Sequence, residues 1–193
     1  MRRWEIINWL IGEHGYKSYL EIGIDNPSNC FDHIALTDKT GVDPNKATTF
    51  RMTSDAFFAQ NKRNFDIVFI DGLHLDEQVR RDIGNSIANL NDGGTIIVHD
   101  CHPYKEDACG DEQRPGQPWY GTTYRAYAFY RHTRPDLRMH CVNDDCGLGI
   151  IQRGAQDVYP VLVDTWEKYI EHQDAMLNLI SHEQLVEIYG RKS

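Results

Sequence analysis

No stretch of the 193-residue chain holds the roughly 18 consecutive apolar residues that a membrane helix requires, so no membrane span is expected. Positive charge is also short. Lys and Arg number 20 against 29 Asp and Glu, a formal net charge of -9, and that field repels phosphate. Binding to nucleic acid or to an anionic membrane surface is therefore not expected. Cysteines are few and odd in number, at five. The segment Arg2-Arg3 ahead of Ile6–Ile11 is interrupted by Asn8 and offers no small-residue cleavage site, so it does not read as a secretory signal. Free thiols and a cytoplasmic location are expected, not a disulfide framework. Cys101 and Cys109 lack the paired spacing of a structural zinc site. Glycine is missing where a pyrophosphate would need it. After Gly23 there is neither the second nor the third glycine of a dinucleotide fingerprint, and no phosphate loop ends in Lys-Ser or Lys-Thr. With no repeat, no low-complexity segment and no break in composition, residues 1–193 read as one domain.

What is present is an ordinary globular composition, 40% hydrophobic and 25% charged, patterned as alternating strands and helices. A leading amphipathic helix is expected over residues 3–13. Strands follow at 18–23 and 40–43, with a marginal third near Phe50-Arg51-Met52, and helices at 29–36 and 54–60. The run Phe65-Asp66-Ile67-Val68-Phe69-Ile70 is apolar and rich in β-branched and aromatic residues, as a buried parallel strand is. It ends in Asp71-Gly72-Leu73-His74 and is followed by a helix over 76–90, with Val79, Ile83, Ile87 and Leu90 on one face. The next strand, Thr95–Val98, ends in His99-Asp100. A polar segment with Pro103, Pro115 and Pro118 is long for a connection and is assigned, with its flanks over 101–120, as a lid that binds the acceptor. A helix over 121–132 places Tyr124, Tyr127 and Tyr130 at helical spacing, where the core is the commoner destination for Tyr127 and Tyr130. A hairpin of 137–142 and 148–152 must be antiparallel because its link is so short. The tail over 156–193 is expected to be helical, with Val158, Leu162, Trp166, Tyr169 and Ile170 on one stripe and a capping box at Ser181 and Gln184. The pattern is that of an α/β protein with a Rossmann-like, doubly wound, seven-stranded sheet, mostly parallel with an antiparallel last strand.

Ligands of such sheets bind outside the carboxyl ends of the strands, where Glu21, Gly23, Asp43, Asp71, His74, His99 and Asp100 are all expected. An acid after the second strand suits the hydroxyls of a ribose, and a glycine after the first allows close approach to the backbone. Gly23 read alone fits an ordinary strand-to-helix turn equally well. Glu21, Asp25 and Asp43 make the pocket acidic, which suits a cation such as a sulfonium. Asp71, His74, His99 and Asp100 are the donor types of a divalent-metal site. The bland alternative is that the two aspartates cap helices and the histidines are loop residues.

Taken together, Tyr19-Leu20-Glu21-Ile22-Gly23, Gly41-Val42-Asp43-Pro44, Phe69–His74, Gly93-Gly94 before Ile96–Asp100 and Cys146-Gly147-Leu148-Gly149-Ile150 resemble class I S-adenosylmethionine-dependent methyltransferases. Within that class the chain is similar to small glycan-associated enzymes related to the metal-dependent O-methyltransferases of macrolide and aminocoumarin sugars. The resemblance implies that Glu21, Gly23, Asp43, Ser54 and Asp55 bind S-adenosylmethionine, with Asp71 bordering both cofactor and metal. It implies that Asp71, His99 and Asp100 hold a divalent ion, Mg2+ first among Mg2+, Mn2+, Fe2+ and Zn2+, and that His74 is the general base. Two positions depart from the pattern: Asp25 replaces a further glycine common in the class, and His99 replaces a second carboxylate usual in the sugar enzymes. The expected activity is methylation of a hydroxyl on a sugar, glycan or related small molecule. A metal-dependent hydrolase of an ester or phosphoester and a noncatalytic cofactor-binding module are the alternatives, and a homo-oligomer is left open.

Overall fold

The computed structural model describes residues 1–46 and 48–191. Seven strands form one sheet in the order β2-β1-β3-β4-β6-β5-β7. They are β1 (Ser18–Ile22), β2 (Asp38–Val42), β3 (Phe65–Ile70), β4 (Leu90–Val98), β5 (Leu137–Val142), β6 (Leu148–Arg153) and β7 (Leu179–Ile180). β1 lies parallel between β2 and β3, and β3 lies parallel to β4. β6 runs antiparallel to both β4 and β5, as the short Asn143–Gly147 link requires. The sheet is the expected Rossmann-like α/β architecture.

Alternation along the central strands explains the two layers of helix. Ile67 and Phe69 point to one face with Tyr19, Ile97 and Ile150, where α1 (Arg3–His14) brings Ile6, Ile7 and Leu10, and α6 (His182–Tyr189) brings Leu185 and Tyr189. Val68 and Ile70 point to the other face with Ile96 and Val98. There they meet Val79 and Ile83 of α3 (Asp76–Ala88), Tyr124, Tyr127 and Tyr130 of α4 (Thr123–Thr133), and Tyr169 of α5 (Trp166–Leu177). A strand covered on both faces cannot alternate polar and apolar residues, which is why β3 reads as an unbroken apolar run. The tyrosines of α4 are accordingly buried: Tyr124, Tyr127 and Tyr130 lie in this core.

Several boundaries differ from the sequence reading. In place of the helix expected over 29–36 the chain makes two short 3-10 turns, Pro27–Asn29 and Phe31–His33. Asn8 of α1 takes the backbone groups a helix would use, donating to the His33 carbonyl and accepting from the Ala35 N–H, both at 2.8 Å. The marginal strand at 50–52 shrinks to a single bridge from Phe50 to Val42. β7 instead supplies the seventh strand, parallel to β5, after Asn178 turns the chain in a left-handed conformation. The tail helix begins only at Trp166, beyond Pro160 and with Thr165 as its N-cap, and of the expected stripe Trp166 and Tyr169 pack on the core while Val158 and Ile170 are exposed. α2 (Ser54–Gln60) falls where expected, and so does α6, with the Ser181–Gln184 capping box formed.

That cap gives a first test. Ser181→Ala removes the acceptor of the Gln184 N–H and should cost about 1 kcal/mol of stability, read as a lower denaturation midpoint with unchanged slope. An unchanged midpoint would mean that α6 is held by Leu185 and Tyr189 alone.

Candidate active site

The carboxyl ends of β1 to β4 open on a cavity of about 730 Å3, lined among others by Gly23, Asp43, Ser54, Asp71, His74, His99 and Asp100. That volume lies within the range of about 300–1,000 Å3 usual for small-molecule sites. The parallel sheet places these residues. Asp71 N–H bonds to the Ile22 carbonyl at 2.8 Å and His99 N–H to the Ile70 carbonyl at 3.0 Å, so the strand ends stay in register one residue past the strands. Gly23 is needed for a reason other than ligand approach: its φ is +88°, and a Cβ there would lie 2.2 Å from the Asp71 carbonyl oxygen.

At one side of the cavity the Asp43 carboxylate accepts N–H bonds from Ile24 at 3.0 Å, Asn45 at 2.7 Å and Lys46 at 3.1 Å. These fix it beside Gly23. Ser54 lines the same side, whereas Asp55 is exposed, lies outside the lining and pairs with Arg81 at 3.3 Å. Glu21 is buried beneath the cavity and does not line it. Its carboxyl accepts from the Tyr19 hydroxyl, and burial pushes its pKa up to about 8. Asp82 of α3 was not anticipated. It is 1% exposed, lines the cavity and accepts from Gln78 at 3.0 Å, and burial raises its pKa to about 6.

At the other side Asp71 is the meeting point. One carboxylate oxygen lies 3.3 Å from His74 Nε2 and 3.1 Å from His99 Nδ1, and the other accepts from Arg3 Nη1 at 2.6 Å. Burial alone would raise the Asp71 pKa, but His99 and His74 outweigh it and hold the carboxyl well below the usual range. Asp100 lies 3.0 Å from His99 Nδ1 and 3.2 Å from His74 Nδ1. Its φ of 57° is in the left-handed region that non-glycine residues seldom occupy. The neighbouring peptides pin it there, through His99 N–H on Ile70 and Cys101 N–H on the Gly147 carbonyl.

His74 is held from three sides. Its ring stacks on Trp119 with centroids 5.3 Å apart and planes 20° off parallel, and its carbonyl accepts from Thr122 N–H at 2.7 Å. Gly121, with φ +57°, passes so close that a Cβ would lie 2.0 Å from that carbonyl oxygen. Nδ1 faces the Trp119 carbonyl at 3.0 Å. A carbonyl and a carboxylate both only accept, so Nδ1 donates to Trp119 and, when the ring is protonated, Nε2 donates to Asp71. Burial opposes protonation of this ring, but the hydrogen bond and charge of Asp71, with Asp100 and Trp119, raise its pKa.

The donor set fits a divalent ion. Asp71, His74 and Asp100 each present an oxygen or nitrogen within 4.8 Å of the others. His99 is 6% exposed, and both of its ring nitrogens lack a well-directed hydrogen bond although carboxylate oxygens lie 3.0–3.5 Å away. Buried polar atoms of this kind call for a partner. Arg3 and Asp145, which complete the cluster, carried no local signal. Arg3 begins a helix and Asp145 sits in a hairpin turn, and only the fold brings them to Asp71.

The sheet order, with a cavity at the carboxyl edge, is that of a Rossmann-like fold shared with solved methyltransferase structures. Residues 14–101 match a family described as a methyltransferase domain, a span that holds β1 to β4 and every sequence-predicted site residue. No curated protein matches the chain in sequence. Solved structures of the same fold include the O-methyltransferase of Bacillus cereus in complex with SAH, 13% identical with TM-score 0.53, over 79% of this chain and 80% of that one. Another is TomG of Streptomyces achromogenes, an O-methyltransferase of tomaymycin synthesis in complex with SAM, at 12% identity, TM-score 0.54 and coverage of 78% and 79%. A third is MycE of the mycinamycin pathway, in complex with Mg, SAH and mycinamycin VI, at 14% identity, TM-score 0.50 and coverage of 81% and 50%. Among the described residues no helix is long and apolar enough to cross a membrane.

Glu21 supplies a pH test. Its folded pKa of about 8 exceeds the ordinary 4.5, so the folded state holds a proton that the unfolded state has released. That contribution is fully present below about pH 4.5 and is lost as pH rises through 8. Thermal melts from pH 5 to 9 should therefore show a smaller fall in Tm for Glu21→Gln than for the wild-type chain. Equal slopes would show that Glu21 is ionised in the folded protein.

Proposed function

We propose that the protein is an S-adenosylmethionine-dependent O-methyltransferase, assisted by a divalent ion, that methylates a hydroxyl of a sugar, glycan or related small molecule. The observation that carries this reading is the convergence on one cavity of an acidic cofactor side, at Gly23, Asp43 and Ser54, with the cluster Asp71, His74 and Asp100. The bound SAH, SAM and Mg of the solved structures of this fold support it, as does the macrolide bound to MycE. The cofactor, when bound, supplies an electrophilic methyl group on a sulfonium. Asp43 offers a fixed carboxylate to the ribose hydroxyls, Gly23 keeps the floor open beside it, and the acidic lining favours the cation. Ser54 and Asp82 border the same side.

Asp71 and Asp100 would hold the ion, which when bound supplies Lewis acidity to the acceptor hydroxyl. His74 is the proton acceptor: it faces the cavity, is oriented by Trp119, and loses one reason to stay protonated once a cation shares Asp71. A second reading makes His74 the third ligand and leaves His99 as a donor between the two carboxylates. The Nδ1–H contact to a backbone carbonyl favours it, because metal-bound imidazoles are commonly oriented in that way. The loop over 101–120 places Gln113 and Trp119 on the cavity and is the acceptor-facing wall in either case.

Calorimetry with S-adenosylhomocysteine tests the core of the proposal. The wild-type chain should bind it and Asp43→Ala should bind it more weakly; a wild-type chain that does not bind would favour a hydrolase. His74→Ala should retain that binding while turnover with a hydroxyl acceptor falls roughly a hundred- to ten-thousandfold. A His74→Ala variant that also loses Mn2+ affinity assigns His74 to the ion, and one with normal turnover removes it from the chemistry.

A further inference from the structure

Arg3 reaches the cluster from the first residue of α1. Nη1 donates to Asp71 Oδ2 at 2.6 Å, while Nε and Nη2 donate to the two oxygens of Asp145 at 3.0 and 3.1 Å. The Arg3 backbone N–H adds a further bond to Asp145 at 2.8 Å, so the guanidinium is anchored at its base as well as its tip. Asp145 is itself fixed in a left-handed turn conformation, with φ 45°. The side chain is only 20% exposed. A planar fork held in this way by two carboxylates from separate loops is not free to swing aside.

The consequence falls on Asp71. Its Oδ2 is engaged in a short charge-assisted bond, and only Oδ1 faces His74 and His99. A carboxylate in that state offers an ion its Oδ1, and chelation through both oxygens would have to share Oδ2 with the guanidinium. Ca2+ takes six to eight oxygen ligands, with carboxylates bound through one oxygen or both, whereas Mg2+ and Mn2+ are satisfied by fewer and Mn2+ also accepts imidazole, so the loss of one carboxylate oxygen falls hardest on Ca2+.

We propose that Arg3 is the specificity-determining residue of the cation site: by holding Asp71 Oδ2 it enforces single-oxygen ligation and so disfavours Ca2+ against the smaller divalent ions. This rests on the reading that Asp71 and Asp100 hold a divalent ion.

The test compares Mn2+ and Ca2+, each alone and in competition, on the full chain by calorimetry and by the electron paramagnetic resonance signal of free Mn2+. In the wild-type chain Ca2+ should compete poorly. Arg3→Met deletes a positive charge, which tightens both ions by similar factors, so the ratio of the two dissociation constants isolates the geometric effect. That ratio should move at least tenfold toward Ca2+. Arg3→Lys keeps the charge but cannot span both carboxylates, and should move the ratio in the same direction by a smaller factor. A wild-type chain that binds Ca2+ as tightly as Mn2+, or an unchanged ratio in a folded variant, overturns the inference while leaving the metal reading intact. A wild-type chain that binds neither ion overturns both. Should one variant fail to fold, the ratio in the other decides.

Discussion

The Asp71 carboxylate is the group on which the rest of the site depends. It leaves the sheet at the end of β3, one residue past the last buried apolar side chain, and it is shared by Arg3, His74 and His99. Each partner comes from a different part of the chain: the leading helix, the turn after β3 and the end of β4. Removing its charge would leave the Arg3 guanidinium and two imidazoles without their common acceptor, a larger disturbance than the loss of one hydrogen bond. The parallel pairing of β3 with β1 and β4 keeps this carboxylate beside both Gly23 and Asp100. The side that holds Gly23 and Asp43 and the side that holds Asp71 and Asp100 are therefore two halves of one sheet edge.

The fold was legible where the pattern is dictated by burial. β3 and the end of β4 are apolar runs because both faces are covered, α3 shows one apolar stripe, and the 143–147 link is too short for anything but an antiparallel pair. What was not legible depends on partners remote in sequence. The helix expected after Pro27 gives way because Asn8 claims its backbone groups, and β7 is a two-residue strand that only an existing β5 can recruit. Pro160 and the N-cap Thr165 mark the start of the tail helix in the sequence itself.

The site shows the same division. Strand ends announce Asp43, Asp71, His74, His99 and Asp100, and all five line the cavity. Glu21 ends up beneath it with Tyr19, since side chains alternate along β1 and Ile22 takes the cavity-facing position. Asp55 points outward because α2 presents Ser54 inward. Arg3, Asp145 and Asp82 had no motif to mark them: an arginine opening a helix, an aspartate in a turn and an aspartate inside a helix are commonplace until the fold closes around them. Arg3 and Asp145 bear on the charge and geometry of Asp71 and His99, which the motifs do reveal.

The most direct test of the account is a crystal structure grown with S-adenosylhomocysteine and Mn2+, with diffraction measured so that manganese is located by its anomalous signal. One strong peak is expected within bonding distance of Asp71 and Asp100, with the ribose on Asp43 and the sulfur between the two. A peak elsewhere, or a nucleoside bound away from Gly23 and Asp43, would contradict it.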